Sequence, residues 1–238
     1  MRKILITNDD GIDSSGIHRL AKAAKELGEV WVVAPAHQRS AASHSITLRE
    51  PIDVIPHDFP VDGVHAFACS GTPGDCVRVG GLNVMPERPD VVLSGINFGY
   101  NIATDIQYSA TAGAAFEAAF QGYHAIALSE HTEGNHEVTN ACLMDILKEA
   151  LEVKLDYGQI VNINFPGCPM SEFKGVRRNV TVSRKCLFVD RYKVVEEFDG
   201  GGVSLMVDGI PNRECEAGTD FEALFDNCIS FGIVNNIG

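Results

Sequence analysis

The chain has 238 residues, with 19 basic against 32 acidic side chains and a formal net charge of −13. That length suits one generous domain or two small ones, and 45% hydrophobic against 21% charged residues excludes disorder as the main state. The acid excess excludes a nucleic-acid polymer as bulk partner, because phosphate backbones are held by basic stripes.

Residues 3–7 (Lys-Ile-Leu-Ile-Thr) are a short β-branched run that stops at a turn cluster, the pattern of a buried first strand. Ile17, Leu20, Ala21, Ala24 and Leu27 recur at helical spacing, and Gly28 is expected to cap that helix. Trp31–Ala34 reads as a second buried strand ended by Pro35, so the chain opens with a strand–helix–strand unit and hence a parallel sheet. A polar loop at 36–45, rich in Ser, His and Ala, leads to extended segments near 46–54 and 64–69. At Gly71-Thr72-Pro73 a helix begins, with Thr72 as cap and Pro73 in the first helical position. A strand at 90–94 precedes a loop expected from Gly95 to Tyr108. Then come a small-residue helix from Thr111 to Phe120, a strand at 125–128, an amphipathic helix from Val138 to Leu151 and a strand at 160–166. Beyond residue 170, short alternating segments between Gly and Asp turns point to hairpins. The expected organisation is therefore a core at 1–170 and a hairpin-bearing extension at 171–238.

No apolar stretch approaches the roughly 18 residues of a membrane span, and Asn8-Asp9-Asp10-Gly11 interrupts any signal-peptide core. A soluble, cytoplasmic protein is expected. The seven cysteines are odd in number and lack a Cys-x-x-Cys pair, so buried free thiols fit better than zinc or a disulfide framework.

Ligands of an open parallel sheet bind beyond the carboxyl ends of its strands. Asn8-Asp9-Asp10-Gly11, Arg39-Ser40 and Gly95-Ile96-Asn97 fall at such ends. Alone, the first of these fits a plain turn, since Asx side chains bond their own backbone. Yet adjacent carboxylates at the mouth of an apolar strand repel each other unless a positive group neutralises them. A hard divalent ion (Mg²⁺, Mn²⁺ or Ca²⁺) would do so, with Ser40 and Asn97 completing an oxygen shell around Asp9 and Asp10. Ser40 as a loop hydroxyl and Asn97 as a turn former are the plainer accounts. Ser109 and Thr111 begin a helix whose free N–H groups suit a phosphate, though either also serves as an ordinary cap. His37 and His44 read as solvated surface. The chain lacks G-x-x-x-x-G-K-[ST], a G-x-G-x-x-G after the first strand, and Gly-x-Ser-x-Gly, which disfavours P-loop, dinucleotide and serine-hydrolase chemistry.

These residues resemble the SurE family of stationary-phase survival proteins. The matching motifs are Ile-Thr-Asn-Asp-Asp-Gly-Ile (6–12), Val-Ala-Pro (33–35) with Arg39-Ser40, Ser45-Ile46-Thr47 and Gly71-Thr72-Pro73 with Asp75-Cys76-Val77. They continue with Ser94-Gly95-Ile96-Asn97, Gly99, Asn101, Tyr108-Ser109, Thr111, Gly113-Ala114-Ala115, Asn162-Ile163-Asn164, Pro166 and Thr219-Asp220. The resemblance implies a Rossmann-like α/β core of mostly parallel strands flanked by helices, with a C-terminal part exchanged between subunits of a homodimer or homotetramer. It also implies metal-dependent hydrolysis of nucleoside 5′- and 3′-monophosphates, and of short polyphosphate. Carried over by position, it makes Asp9, Asp10, Ser40 and Asn97 the ligands of one Mg²⁺ or Mn²⁺ per subunit, with Asp9 or Asp10 as proton acceptor. Asn101, Ser109 and Thr111 would line the phosphate site. Alanine replaces a frequent family glycine at Ala41, Ala103, Ala110 and Ala118, and a Cβ at Ala110 is expected to narrow the phosphate site. A non-catalytic metal and nucleotide sensor on the same fold is the alternative.

Overall fold

The computed structural model describes residues 1–132 and 136–237. The chain opens with β1 (Arg2–Thr7), α1 (Ser15–Ala24) and β2 (Gly28–Pro35). Ile17, Leu20, Ala21 and Ala24 form the buried stripe of α1, as the spacing required. Gly28 is not the helix cap expected of it: α1 ends at Ala24, and Gly28 starts β2 beside Arg2. A Cβ on residue 28 would stand 2.3 Å from the Arg2 carbonyl oxygen, so close strand approach is what demands the glycine.

Next come β3 (Val54–Pro56), β4 (His65–Cys69), α2 (Pro73–Val79) with a π-helical turn at 80–84, and β5 (Val91–Phe98). Residues 46–53, expected to be extended, add no strand. Strand β5 runs four residues past the expected end at Ser94, with a register irregularity between Ser94 and Asn97 against the next strand. A 3-10 turn at 103–107 then leads to α3 (Ala110–Phe120), β6 (His124–Glu130), α4 (Glu137–Ala150) and β7 (Gln159–Phe165). The remainder holds β8 (Val176–Arg178), β9 (Phe188–Val189), β10 (Tyr192–Phe198), β11 (Gly202–Val207), β12 (Ile210–Pro211), α5 (Asp220–Phe225) and β13 (Ile229–Asn235).

Among the described residues the main sheet is ordered β3-β4-β2-β1-β5-β6-β7-β13-β8. Strands β4, β2, β1, β5, β6 and β7 are parallel, β3 runs against β4 and β13 against β7, and β8 is parallel to β13. Alternate strand residues face two helical layers: Ile4 and Ile6 meet α1 and α4, while Leu5, Val33 and Val92 meet α2 and α3. From β1 the chain winds outward through β2 on one side and β5 on the other. A crevice therefore opens between the carboxyl ends of β1 and β5, where a doubly wound sheet places its ligand. The segment after residue 170 carries the expected hairpin, β10 against β11, but also returns β8 and β13 to the main sheet. No described helix is long and apolar enough to cross a membrane. Four of the seven free cysteines are buried, whereas Cys186 and Cys215 are exposed, which corrects the expectation of wholly buried thiols.

Candidate active site

The carboxyl end of β1 delivers Asp9 and Asp10 into that crevice. Asn8 fixes the turn by donating to the Gly11 carbonyl and to Ser14 Oγ, both at 2.8 Å. Asp9 is buried, and its Oδ1 accepts the Thr111 hydroxyl at 2.6 Å. Its backbone carbonyl accepts the Arg39 N–H at 2.7 Å, tying the polar loop to the strand end. Burial raises the Asp9 carboxyl to about 6, against the lowering effect of the Thr111 hydroxyl and with Asp10 adding its own repulsion. Asp10 is raised too, first by burial, with the Phe98 N–H opposing. That N–H donates to Asp10 Oδ2 at 3.0 Å. Among the described residues no Lys or Arg forms an ion pair with either carboxylate.

Ser40 and Asn97 reach the pair through neighbours. Gln38 Nε2 lies 2.9 Å from Ser40 Oγ and 3.5 Å from Asp10 Oδ1, bridging the exposed serine to the acid. Asn97 precedes the residue whose N–H holds Asp10, and its own Nδ2 donates to the Gly99 carbonyl at 2.7 Å. Its Oδ1 is thereby left to accept. Two carboxylates, a hydroxyl and an amide oxygen are a hard donor set, suited to Mg²⁺, Mn²⁺ or Ca²⁺. No group of three His, Cys, Asp or Glu side chains among the described residues could hold a metal ion instead.

Ser109 caps α3, its Oγ accepting the Ala112 N–H at 2.9 Å. Thr111 turns its hydroxyl to Asp9, so its side chain orients an acid rather than standing free. Asn101 is buried in an amide network: its Nδ2 donates to Ser129 Oγ at 2.7 Å, its N–H to Asn164 Oδ1 at 2.8 Å, and its carbonyl accepts from Asn162 and Asn164. That network pins the loop after β5 to the ends of β6 and β7. His44, expected at the solvated surface, instead bonds Glu117 at 2.9 Å on α3. The backbone reason lies at Gly113, where a Cβ would meet the Ser43 carbonyl at 2.7 Å, so the loop packs directly on the helix.

The alanine departures sort differently from expectation. Ala110 is simply the first residue of α3. The left-handed backbone falls on Ala41 (φ 56°) and Ala103 (φ 53°). Sequence reading also missed Gln38 and Glu130. Glu130 is buried at the end of β6, bonded to Arg19 and, at 3.1 Å, to His136 Nδ1. Its only signal was topological, a polar residue ending a strand opposite Phe98, next to Asn97 in the chain.

The family model described as "Survival protein SurE" matches residues 4–187. Relatives named 5′/3′-nucleotidase SurE from Citrobacter koseri and Shigella dysenteriae are 38% and 37% identical over 230 residues, spanning 96% of this chain and 88% of each relative. The crystal structure of the SurE protein from Aquifex aeolicus superposes with a TM-score of 0.82 at 32% identity, covering 98% of this chain and 93% of that one. With its motifs in family order and the crevice acids where the fold puts them, the chain belongs to the SurE family.

Proposed function

We propose that the protein is a metal-dependent nucleotidase that hydrolyses nucleoside 5′- and 3′-monophosphates to nucleoside and phosphate, with short polyphosphate as a further substrate. The names of its relatives support the nucleotide class. The observation that carries the reading is the desolvated Asp9–Asp10 pair, aimed into the crevice with no basic side chain among the described residues to neutralise it and with the N-terminus of α3 beside it. In this reading Asp9, Asp10, Ser40 and Asn97 would hold one Mg²⁺ or Mn²⁺, which would supply charge neutralisation for the phosphoryl group and an acidified water.

The protein's own groups do the rest. Thr111 fixes one rotamer of Asp9, and the Phe98 N–H fixes Asp10, so neither carboxylate reorganises on binding. The N-terminal N–H groups of α3 and the Ser109 hydroxyl present donors to the remaining phosphate oxygens, with Asn101 holding the loop beside them. Asp9 or Asp10 accepts the proton of the attacking water. A phosphate-release screen with adenosine, guanosine, cytidine and uridine monophosphates tests this, run with Mg²⁺, Mn²⁺ and a chelator. Turnover that stops in chelator and returns with metal is expected. Nucleotide binding without release would favour the sensor instead.

The exposed β10–β11 hairpin supports a role for the C-terminal extension, 171–238, in exchange between subunits of a homodimer or homotetramer, with the hairpin as the exchanged part while β8 and β13 stay on their own chain's sheet. Val194, Val195, Val203, Leu205 and Met206 are all exposed there, an apolar surface unusual for a free arm. The unpaired thiols fit a reducing compartment such as the cytoplasm.

A further inference from the structure

Two guanidiniums stand near the rim of the crevice, and both are turned away from its acids. Arg39 donates its backbone N–H to the Asp9 carbonyl, but its Nη2 turns to the Ser70 carbonyl at 2.9 Å. Arg19 lies on α1, the helix that follows the Asp9–Asp10 turn. At Gly16 that helix meets β5 so closely that a Cβ would stand 2.1 Å from the Ile96 carbonyl oxygen, one residue before Asn97. Arg19 comes three residues later, a spacing that keeps it on the same face of the helix.

Glu130 takes this second guanidinium. Its carboxylate is buried at the end of β6, only 1% exposed. Arg19 Nη1 donates to Oε2 at 3.2 Å and Nη2 donates to Oε1, a two-pronged pair that fits the guanidinium fork. Arg19 Nη1 also reaches Asn140 Oδ1 at 3.2 Å, and His136 Nδ1 stands 3.1 Å from Glu130 Oε2. Glu130 is in register with Phe98, whose N–H donates to Asp10, so the two carboxylates stand across one residue. Burial is the main reason the Asp10 carboxyl is raised, and the Glu130 charge adds to it. A buried ion stripped of its partner is costly, so an Arg19 deprived of Glu130 is drawn to the acids beyond Phe98.

We propose that Glu130 is a positioning residue of the metal site: it holds Arg19 away from Asp10, so that the Asp9–Asp10 pair keeps its full negative charge for a divalent cation. This rests on the metal-dependent reading above and adds what stops the protein's own cation from filling the site. One unit charge about 10 Å away, at an effective dielectric of about 20, shifts an equilibrium on the order of tenfold.

Mn²⁺ binding to the full chain, read by calorimetry, separates this role from a purely structural one, because the two partners act with opposite signs. Glu130→Gln frees the guanidinium and is expected to weaken Mn²⁺ binding about tenfold. Arg19→Gln removes it and is expected to leave Mn²⁺ bound as tightly as in the parent, or more tightly. The double variant carries neither charge and is expected to return to within about threefold of the parent. A pair that served only the fold would weaken binding in both single variants, with no recovery in the double one. Weaker binding in Arg19→Gln overturns the proposal, as does a Glu130→Gln within twofold of the parent or a double variant as weak as Glu130→Gln. If Glu130→Gln does not fold, Arg19→Gln and the double variant decide. If the parent binds no Mn²⁺, the metal reading fails separately, and thermal melts in chelator decide the role of Glu130. Asp10→Asn is then expected to raise the melting temperature of the parent, by removing a repelled carboxylate, and to lower that of Glu130→Gln, by removing the new partner of Arg19. A shift of the same sign in both backgrounds overturns the proposal.

Discussion

The crevice at the end of β1 and the hairpin of β10 and β11 are opposites in how they treat polarity. In the crevice, Asp9 is buried and Asp10 half-buried, and each is held by a defined donor, Asp9 by Thr111 and Asp10 by the Phe98 N–H. On the hairpin, valines, Leu205 and Met206 point into water, and Val194 faces Leu205 across the ladder with both more than half exposed. Buried charge costs several kcal/mol unless compensated, and exposed aliphatic area forgoes about 25 cal/mol per Å². Each region therefore stores a cost that a missing component would relieve. In the reading proposed above, that component is a cation for the crevice and an apolar surface of another copy for the hairpin.

The strongest way to break the contrast is Asp9→Asn. The amide oxygen can still accept from Thr111, so the fold is expected to survive while metal-dependent phosphate release falls about 10²–10⁴-fold. Phosphate release alongside circular dichroism checks both halves. Full activity in this variant and in Asp10→Asn would remove the acids from the mechanism.

The hairpin is tested by Val194→Glu with Leu205→Glu, placing like charges directly opposite each other in the pair register. Losing the burial of two aliphatic side chains is expected to weaken subunit association on the order of 100-fold or more. Sedimentation velocity across a dilution series reads this, and an unchanged oligomer would show that the hairpin is simply an exposed arm. The core hydrophobic clusters contain neither residue, so the melting temperature of the dissociated chain is expected to hold.

Much of the first region is legible in sequence because its determinants are local. The β-branched run at Ile4–Ile6, the Thr72-Pro73 helix start and the spacing of Val138, Leu143, Ile146 and Leu147 each specify their own element. Thr72 does accept the Asp75 N–H, and Asp75 does bond back to Thr72, a complete capping box. What escaped was set by contact between distant segments. Gly28 reads as a helix end because nothing local reveals the Arg2 carbonyl beside it. The bond from the Thr111 hydroxyl to Asp9 spans 102 residues and leaves no local mark in the sequence. Gln38 carries no motif, and its bridge between Asp10 and Ser40 exists only once the loop folds over β1.

Asp75 sharpens the comparison at intermediate size. It is buried, and burial alone would raise its carboxyl, but the Thr47 hydroxyl and N–H, with the Thr72 N–H, hold it net below the usual carboxylate range. Those donors lie at 2.6, 2.9 and 2.9 Å. A lowered folded value means stabilisation that is complete above the unfolded carboxylate range and lost as pH falls through the folded one. Asp75→Asn is expected to cost about 2 kcal/mol near neutral pH. Urea unfolding should show parent and variant converging in acid. A gap that stays constant with pH would mean that packing, not charge, sets the cost.

The smallest effect separates the two left-handed alanines. A left-handed L-residue costs about 1–2 kcal/mol, while glycine adds about 0.4–1 kcal/mol of unfolded-chain entropy. Ala41 is exposed, so Ala41→Gly loses no buried methyl and is expected to gain about 0.5–1 kcal/mol. In a chain of this size that is about 1–3 °C in melting temperature. Ala103 is fully buried, packed near Phe221, with its N–H donating to Asp220 at 3.0 Å. Deleting its methyl forfeits about 0.8 kcal/mol of burial, so Ala103→Gly is expected to be neutral. Paired thermal melts decide it: equal gains at both positions would mean that the Ala103 methyl contributes nothing to the small cluster holding α5 against the loop after β5.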